Sequence, residues 1–282
     1  METSPFCLPH ESLPYFTLEA MSSFFQSELR LYPAKCGLPY GKAFFKHVPE
    51  LIMKLRIKFK KYGPIRFIGH LDVMRFFQKA IRRAGIDVTY TSGFSPHQVM
   101  SFASPLGVGL TSNGEYMDIE VNSISSCQDV LNRLNQASVP GIEVVSVKEL
   151  PEGAGNAMAS VAAASYTVRF REGREPAADI SAVLPIFMEK KEIVITKETK
   201  KGSREVDLKP GIYRLEWSDN AFFMLVDASS SGNIKPTQVI GALLAECGES
   251  LPENALLITR EEVYTNAGTE EQRQLVPLDE IG

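Results

Sequence analysis

Lys54-Leu55-Arg56-Ile57-Lys58-Phe59-Lys60 alternates cationic and apolar residues without a break. Successive side chains of a strand point to opposite faces, so this stretch predicts a strand with one buried and one cationic face. Tyr62-Gly63-Pro64 ends it. Over residues 70–84 the period becomes helical. Val73, Met74, Phe77, Ile81 and Ala84 fall on one side, and Gly85 follows where a C-cap glycine belongs. Asp87–Thr91 reads as a short strand and Ser92 to about Pro105 as a loop. Leu106–Leu110 and Glu115–Val121 flank the hairpin signal Ser112-Asn113-Gly114. A helix (Ser126–Gln136) and a strand (Ile142–Leu150) follow. The order β-α-β-β-α-β is the split βαβ of ferredoxin-like folds, with Leu106–Leu110 as an extension of the hairpin.

The small-residue stretch 151–164 reads as a linker. The order of elements then repeats. Ser165–Phe170 is a strand, Ala177–Lys190 a helix containing Pro185, and Glu192–Glu198 a strand. Tyr213–Trp217 and Phe222–Asp227 form a hairpin around Ser218-Asp219-Asn220. Pro236–Glu246 is a helix with proline in its first turn, and Leu256–Tyr264 a closing strand. The expected class is α+β, with two tandem ferredoxin-like domains at 53–150 and 165–264 and a mobile polar tail at 265–282. Residues 1–52 carry six of the seventeen prolines and no sustained period. They are expected to be a poorly structured extension upstream of a translation start at Met53, a docking tail being the alternative.

The 282 residues are 44% hydrophobic and 23% charged, ordinary globular values. No apolar run reaches the roughly 18 to 20 residues that span a bilayer, and no secretory signal is seen, so a cytoplasmic protein is expected. The cysteines (Cys7, Cys36, Cys127, Cys247) form no CxxC pair, which excludes a zinc ribbon or a three-cysteine iron–sulfur loop. Charge is unevenly spread. Met53–Gly85 holds ten Lys or Arg against one acid, Asp72, so it carries +9 and leaves −13 for the rest of a chain whose total is −4.

Phe67-Ile68-Gly69-His70-Leu71-Asp72, Met74-Arg75 and Arg82-Arg83-Ala84-Gly85 resemble the opening of the radical-SAM-linked protein family. The resemblance continues through Gly93-Phe94-Ser95-Pro96-His97, Phe102-Ala103, Pro105-Leu106, Gly114–Ile119 and Val206-Asp207-Leu208-Lys209-Pro210. It spans about Met53 to Tyr264. Such proteins are encoded beside a radical-SAM protein or fused behind one, so the resemblance implies a radical-SAM partner. With no cysteine triad here, radical chemistry would belong to that partner.

Four groups are candidate sites. Arg75, Lys79, Arg82 and Arg83 fall on one face of the first helix, opposite its apolar stripe, as phosphate binding wants; a solvated face is the plainer reading. Lys54, Arg56 and Lys58 mark the open face of the first strand, where RNA could bind. Cross-strand ion pairs with Asp118 and Glu120 are the alternative there. Lys200, Lys201 and Arg204 lie in a basic loop. A loop site is drawn from His70, Asp72, Gly93, Phe94, Pro96 and His97, since histidine can act as acid, base or ligand. No close-spaced ligand pair argues for a metal, and no catalytic residue or cofactor is assigned. The expected function is a non-catalytic accessory protein to a radical-SAM enzyme, binding RNA or presenting substrate. A metal-independent ribonuclease and a protein-interaction module are the rivals.

Overall fold

The structure, a computed structural model, describes residues 52–199, 202–269 and 272–281. The expectations for the N-terminal extension, and for Lys200 and Lys201, fall outside these residues.

The first half runs β1 (Met53–Lys61), α1 (His70–Arg83), β2 (Asp87–Val88), β3 (Met100–Phe102), β4 (Thr111–Ser123), α2 (Cys127–Ala137) and β5 (Ile142–Glu149). A one-turn helix, α3 (Ala157–Ser160), precedes the second half. That half comprises β6 (Ala163–Phe170), α4 (Ile180–Glu189), β7 (Val194–Thr199), β8 (Gly202–Asp207), β9 (Ile212–Ser218), β10 (Ala221–Asp227), α5 (Pro236–Glu246), β11 (Leu256–Asn266) and β12 (Leu275–Pro277). The fold is α+β, with few helices and one large, mostly antiparallel sheet ordered β5-β1-β4-β11-β6-β10-β9. β2 and β3 pair with β4, and β12 with β11.

The alternation expected over residues 54–60 holds. Leu55, Ile57 and Phe59 are buried, and they pack with Val73, Phe77 and Ile81 of α1 and Val130 and Leu134 of α2. Gly85 ends α1 with φ +61°, the left-handed conformation that glycine adopts freely. The second half builds its own core from Val168, Phe222, Met224 and Ile258 under Leu184 and Phe187 of α4 and Leu243 of α5. The tight turn between β9 and β10 also forms, with Asp219 and Asn220 at φ 52° and 55°.

Four local expectations are overturned. Ser112-Asn113-Gly114 is no hairpin: residues 111–123 are one continuous strand and 106–110 form none. Gly114 serves a close approach instead. A Cβ there would lie 2.9 Å from the Glu261 carbonyl oxygen and 3.1 Å from the Glu262 Cα, because β11 passes beside it. Glu192–Glu198 does not join the large sheet; β7 pairs only with β8, in a separate two-stranded hairpin, and β9 takes the sheet edge. The alternation over 194–198 is polar with a half-exposed Val194, too little apolar surface for a central strand. The stretch 151–164 is not an open linker. Asn156 caps α3, and Ala157 is sealed from solvent. Nor is 265–282 a loose tail where it is described. β12 extends the sheet and Leu278 is fully buried.

The two halves meet where β4 and β11 run parallel. Thr259 lies opposite Thr111 and Arg260 opposite Ser112, and the two threonine hydroxyls are 2.8 Å apart. Among the described residues no helix is long and apolar enough to cross a membrane.

Candidate functional site

Helix α1 presents two unlike faces. Val73, Phe77, Ala80 and Ile81 are buried, while Arg75, Lys79, Arg82 and Arg83 are exposed. Arg75 has Asp72 as a solvent-exposed partner at 3.2 Å, and Arg83 donates to the Ala137 carbonyl at 2.7 Å. No ion pair joins Lys79 or Arg82 to any described residue. The packing of α1 therefore needs none of the charges of Arg75, Lys79 and Arg82, while Arg83 ties the end of the helix to α2.

The loop beside this helix is a small hairpin-like excursion. Tyr90 bridges Gln98. The Thr91 amide donates to the His97 carbonyl at 2.8 Å, the His97 amide to the Thr91 hydroxyl at 3.1 Å, and that hydroxyl lies 3.0 Å from His97 Nδ1. Gly93, Phe94 and Pro96 form its exposed tip, with Gly93 at φ +111° and the Phe94 ring entirely in solvent. Gln98 is buried and anchors the loop: its Nε2 donates to the Gln78 carbonyl at 3.2 Å and lies 3.5 Å from the Tyr90 hydroxyl. Arg75 and Arg82 stand about one turn either side of Gln78 on the helix. Gln98 thus links the half-exposed Tyr90 to the backbone of α1 at Gln78. His70 and Asp72 do not join this group by any hydrogen bond or ring contact among the described residues. His70 packs edge-on against Phe102 at 5.0 Å, at the other end of α1.

Arg56 and Lys58 of the first strand are tied up by acids rather than open to a ligand, while Lys54 is half-buried at the border of an open pocket. Arg56 is buried and makes a two-pronged pair with Asp118 at 2.9 and 3.0 Å, the cross-strand alternative, and it also donates to the Leu278 carbonyl at 3.1 Å. Lys58 is bound between Glu262 at 2.6 Å and Asp279 at 3.4 Å. The Tyr116 hydroxyl lies 2.7 Å from Glu262 and 2.9 Å from Asp279. Burial, then the two acids beside it, raise that phenol far above its ordinary range. Lys54 reaches the Ala154 carbonyl at 3.3 Å rather than Glu120. The face is closed around Arg56 and Lys58 because α3 and the segment around Leu278 lie over it there, packed with Ala103, Tyr116 and Val263.

The opposite face carries a polar row that type-based reading passes over. Lys61 on β1, Glu115 on β4, Arg260 on β11 and Tyr166 on β6 come from four neighbouring strands. Arg260 donates twice to Glu115, at 2.8 Å through Nε and again through Nη2, and its other bonds go to the Ser104 hydroxyl and carbonyl at 3.2 and 2.7 Å. Lys61 donates to the Ile68 carbonyl at 3.0 Å. Lys61 and Arg260 are 2% exposed and Glu115 is 6% exposed, so two cations face one carboxylate inside the protein. Burial lowers the Lys61 pKa below 10.5; Glu115 opposes the shift and Arg260 adds to it. For Tyr166, burial outweighs the neighbouring guanidinium and raises the pKa above 10.0. The sequence signal was phase: Lys61 continues Leu55, Ile57 and Phe59, and Glu115 precedes Met117 and Ile119 on the buried face.

In the second half, Val206-Asp207-Leu208-Lys209-Pro210 is the foot of the β7–β8 hairpin. One Asp207 oxygen accepts from the Ile193 and Lys209 amides at 2.8 and 3.0 Å, and Leu208 is buried. Arg204 is exposed and faces Lys197 across the hairpin.

These features define an α+β protein with an exposed cationic helix, an aromatic loop tip and a sealed ionic seam. The chain belongs to the family described as "Uncharacterized protein conserved in bacteria (DUF2344)", which it matches over residues 54–236. No curated protein matches it.

Proposed function

We propose that this protein is a non-catalytic, RNA-contacting accessory protein built from two ferredoxin-like halves. The observation that carries the reading is the helix α1 face: Arg75, Lys79 and Arg82 are exposed cations that the core does not use, and the loop that Gln98 anchors to this helix carries the exposed rings of Tyr90 and Phe94. Single-stranded RNA is held by this combination, with cations along its phosphates and aromatic faces under its bases. Each half supports the ferredoxin-like reading through its strand order, β5-β1-β4 with β2 and β3 outside in the first and β11-β6-β10-β9 in the second. A radical-SAM enzyme as partner rests on the resemblance of residues 67–119 and 206–210 alone.

The test is fluorescence anisotropy with labelled single-stranded RNA across a salt series. Wild-type protein is compared with a variant carrying Arg75→Gln, Lys79→Gln and Arg82→Gln. Weaker binding with a shallower salt dependence in the variant supports the reading. Equal affinity and slope would overturn it and leave the face as a protein-docking surface. Cleavage of the RNA that disappears with His97→Ala would replace it with the ribonuclease reading.

A further inference from the structure

Three segments distant in sequence converge at one end of the ionic seam. The first helix starts there with His70, the loop after β3 brings Phe102, Ser104, Pro105 and Leu106, and β4 brings Glu115. Together with Phe59, Lys61 and Val73 they enclose a cavity of about 10 Å³, room for the centre of a single water-sized particle.

Its electrostatics are unbalanced. Among the described residues, Lys61 and Arg260 have one buried carboxylate between them, and that carboxylate accepts both of its guanidinium bonds through a single oxygen. Of the three donors on the Lys61 ammonium, one is spent on the Ile68 carbonyl. The Ser104 hydroxyl oxygen accepts from Arg260, which leaves its own proton to donate. Buried charges are normally paired and buried donors normally satisfied. A second negative charge at this cavity would do both.

We propose that the cavity is a small-anion site, holding one singly charged anion of about a water's size, with Lys61 as its counter-charge and the Ser104 hydroxyl as its second donor. The same chemistry suits a free halide or one anionic oxygen of a larger ligand entering past His70 and Pro105, which border the cavity from the surface side. Lys61 and Glu115 are the charged groups that line the site, Arg260 stands behind Glu115 and Ser104, and His70 is the remaining titratable neighbour. A bound anion opposes the lowering of the Lys61 pKa that burial causes. Anion binding in this cavity is independent of RNA binding on α1.

The test compares thermal unfolding in chloride and in tetrafluoroborate, which is wider than the cavity and has no anionic oxygen to insert, at equal ionic strength. Chloride at ten times its dissociation constant is expected to raise the midpoint by about 4 °C, saturably. Lys61→Met should abolish the difference, and the milder Ser104→Ala should weaken chloride about tenfold, so the test survives if Lys61→Met does not fold. Independently, the chloride-35 resonance should broaden on adding wild-type protein and sharpen again with formate or inorganic phosphate. Stronger competition by phosphate than by formate points to a larger ligand's phosphoryl oxygen; the reverse points to a free monoanion. Identical midpoints in the two salts with no line broadening would overturn the proposal. So would a chloride effect that persists undiminished in Lys61→Met.

Discussion

Arg260 and Glu115 lock the two halves of the sheet together, the guanidinium of β11 held twice by one carboxylate oxygen of β4, and neither group meets water to any extent. Breaking such a pair from one side strands the other charge in the interior, at a cost of about 3–5 kcal/mol. Glu115→Leu is therefore expected to destabilise the protein by that amount in urea unfolding. Glu115→Leu with Arg260→Met should recover part of the loss, because it leaves Lys61 as the one buried charge of the seam without its carboxylate. A double variant no more stable than the single one would show that the pair also shapes the seam.

Gly114 and Gly241 should respond in opposite ways to alanine. At Gly114 the new methyl meets the backbone of β11, which cannot step aside without breaking the β4–β11 junction. A loss of about 1–3 kcal/mol is expected. Gly241 lies inside α5 with nothing within 4 Å of the added atom, and a gain of about 0.5–1 kcal/mol is expected from the better helix former. Denaturant midpoints of the two variants, at unchanged slope, check both.

Lys58 makes the protein sensitive to alkali. Burial alone would lower its pKa, but the bonds and charges of Glu262 and Asp279 raise it above 10.5. The unfolded chain then loses this proton at lower pH than the folded one. The stabilisation is fully present below pH 10.5 and is lost as pH climbs through the folded value. The stability difference between wild type and Lys58→Met should stay flat from about pH 8 to about pH 10 and shrink at higher pH. A difference that shrinks toward acid instead would place the control on the carboxylates.

Removing the α1 charges should leave the fold intact. Each substitution at Arg75, Lys79 or Arg82 is expected to change stability by no more than about 0.5 kcal/mol. Every RNA phosphate that a variant no longer neutralises should flatten the slope of log affinity against log salt by about 0.7. Phe94→Ala should weaken single-stranded RNA binding by about 1–3 kcal/mol at nearly unchanged slope, since stacking releases no counterions. A parallel fall in slope and affinity for Phe94→Ala would mean that the loop positions the helix charges rather than stacking on a base.

Much of the fold is legible from periodicity. β1, α1, α2, α5 and the β9–β10 turn follow directly from local pattern, because in each the local preference and the tertiary role agree. The failures occur where a distant segment decides. Asn113-Gly114 carries a strong hairpin signal, yet the glycine is needed for the close passage of β11, roughly 150 residues away. Arg56 and Lys58 read as facing solvent because nothing in their neighbourhood foretells that Leu278 and Asp279 cover them. The basic face of α1 is legible in full, since exposure opposite an apolar stripe is a local property. The seam is legible only in part. Lys61 and Glu115 occupy the core phase of their strands, but Arg260 as the group between Glu115 and Tyr166 emerges only when β4 and β11 are side by side.

The position of β11 also bears on synthesis. This strand lies at the middle of the sheet, between β4 and β6, yet every other strand except β12 leaves the ribosome before it. Until Asn266 has emerged, the edges of β4 and β6 that β11 will cover stand unpaired in the nascent chain, and unpaired strand edges invite pairing with other polypeptides. At bacterial translation speeds of about 5–20 residues per second this window lasts several seconds or more after β6 appears. Such a chain would be expected to lean on a holding chaperone during that interval, and to be recovered in soluble form more readily when translation is not driven hard.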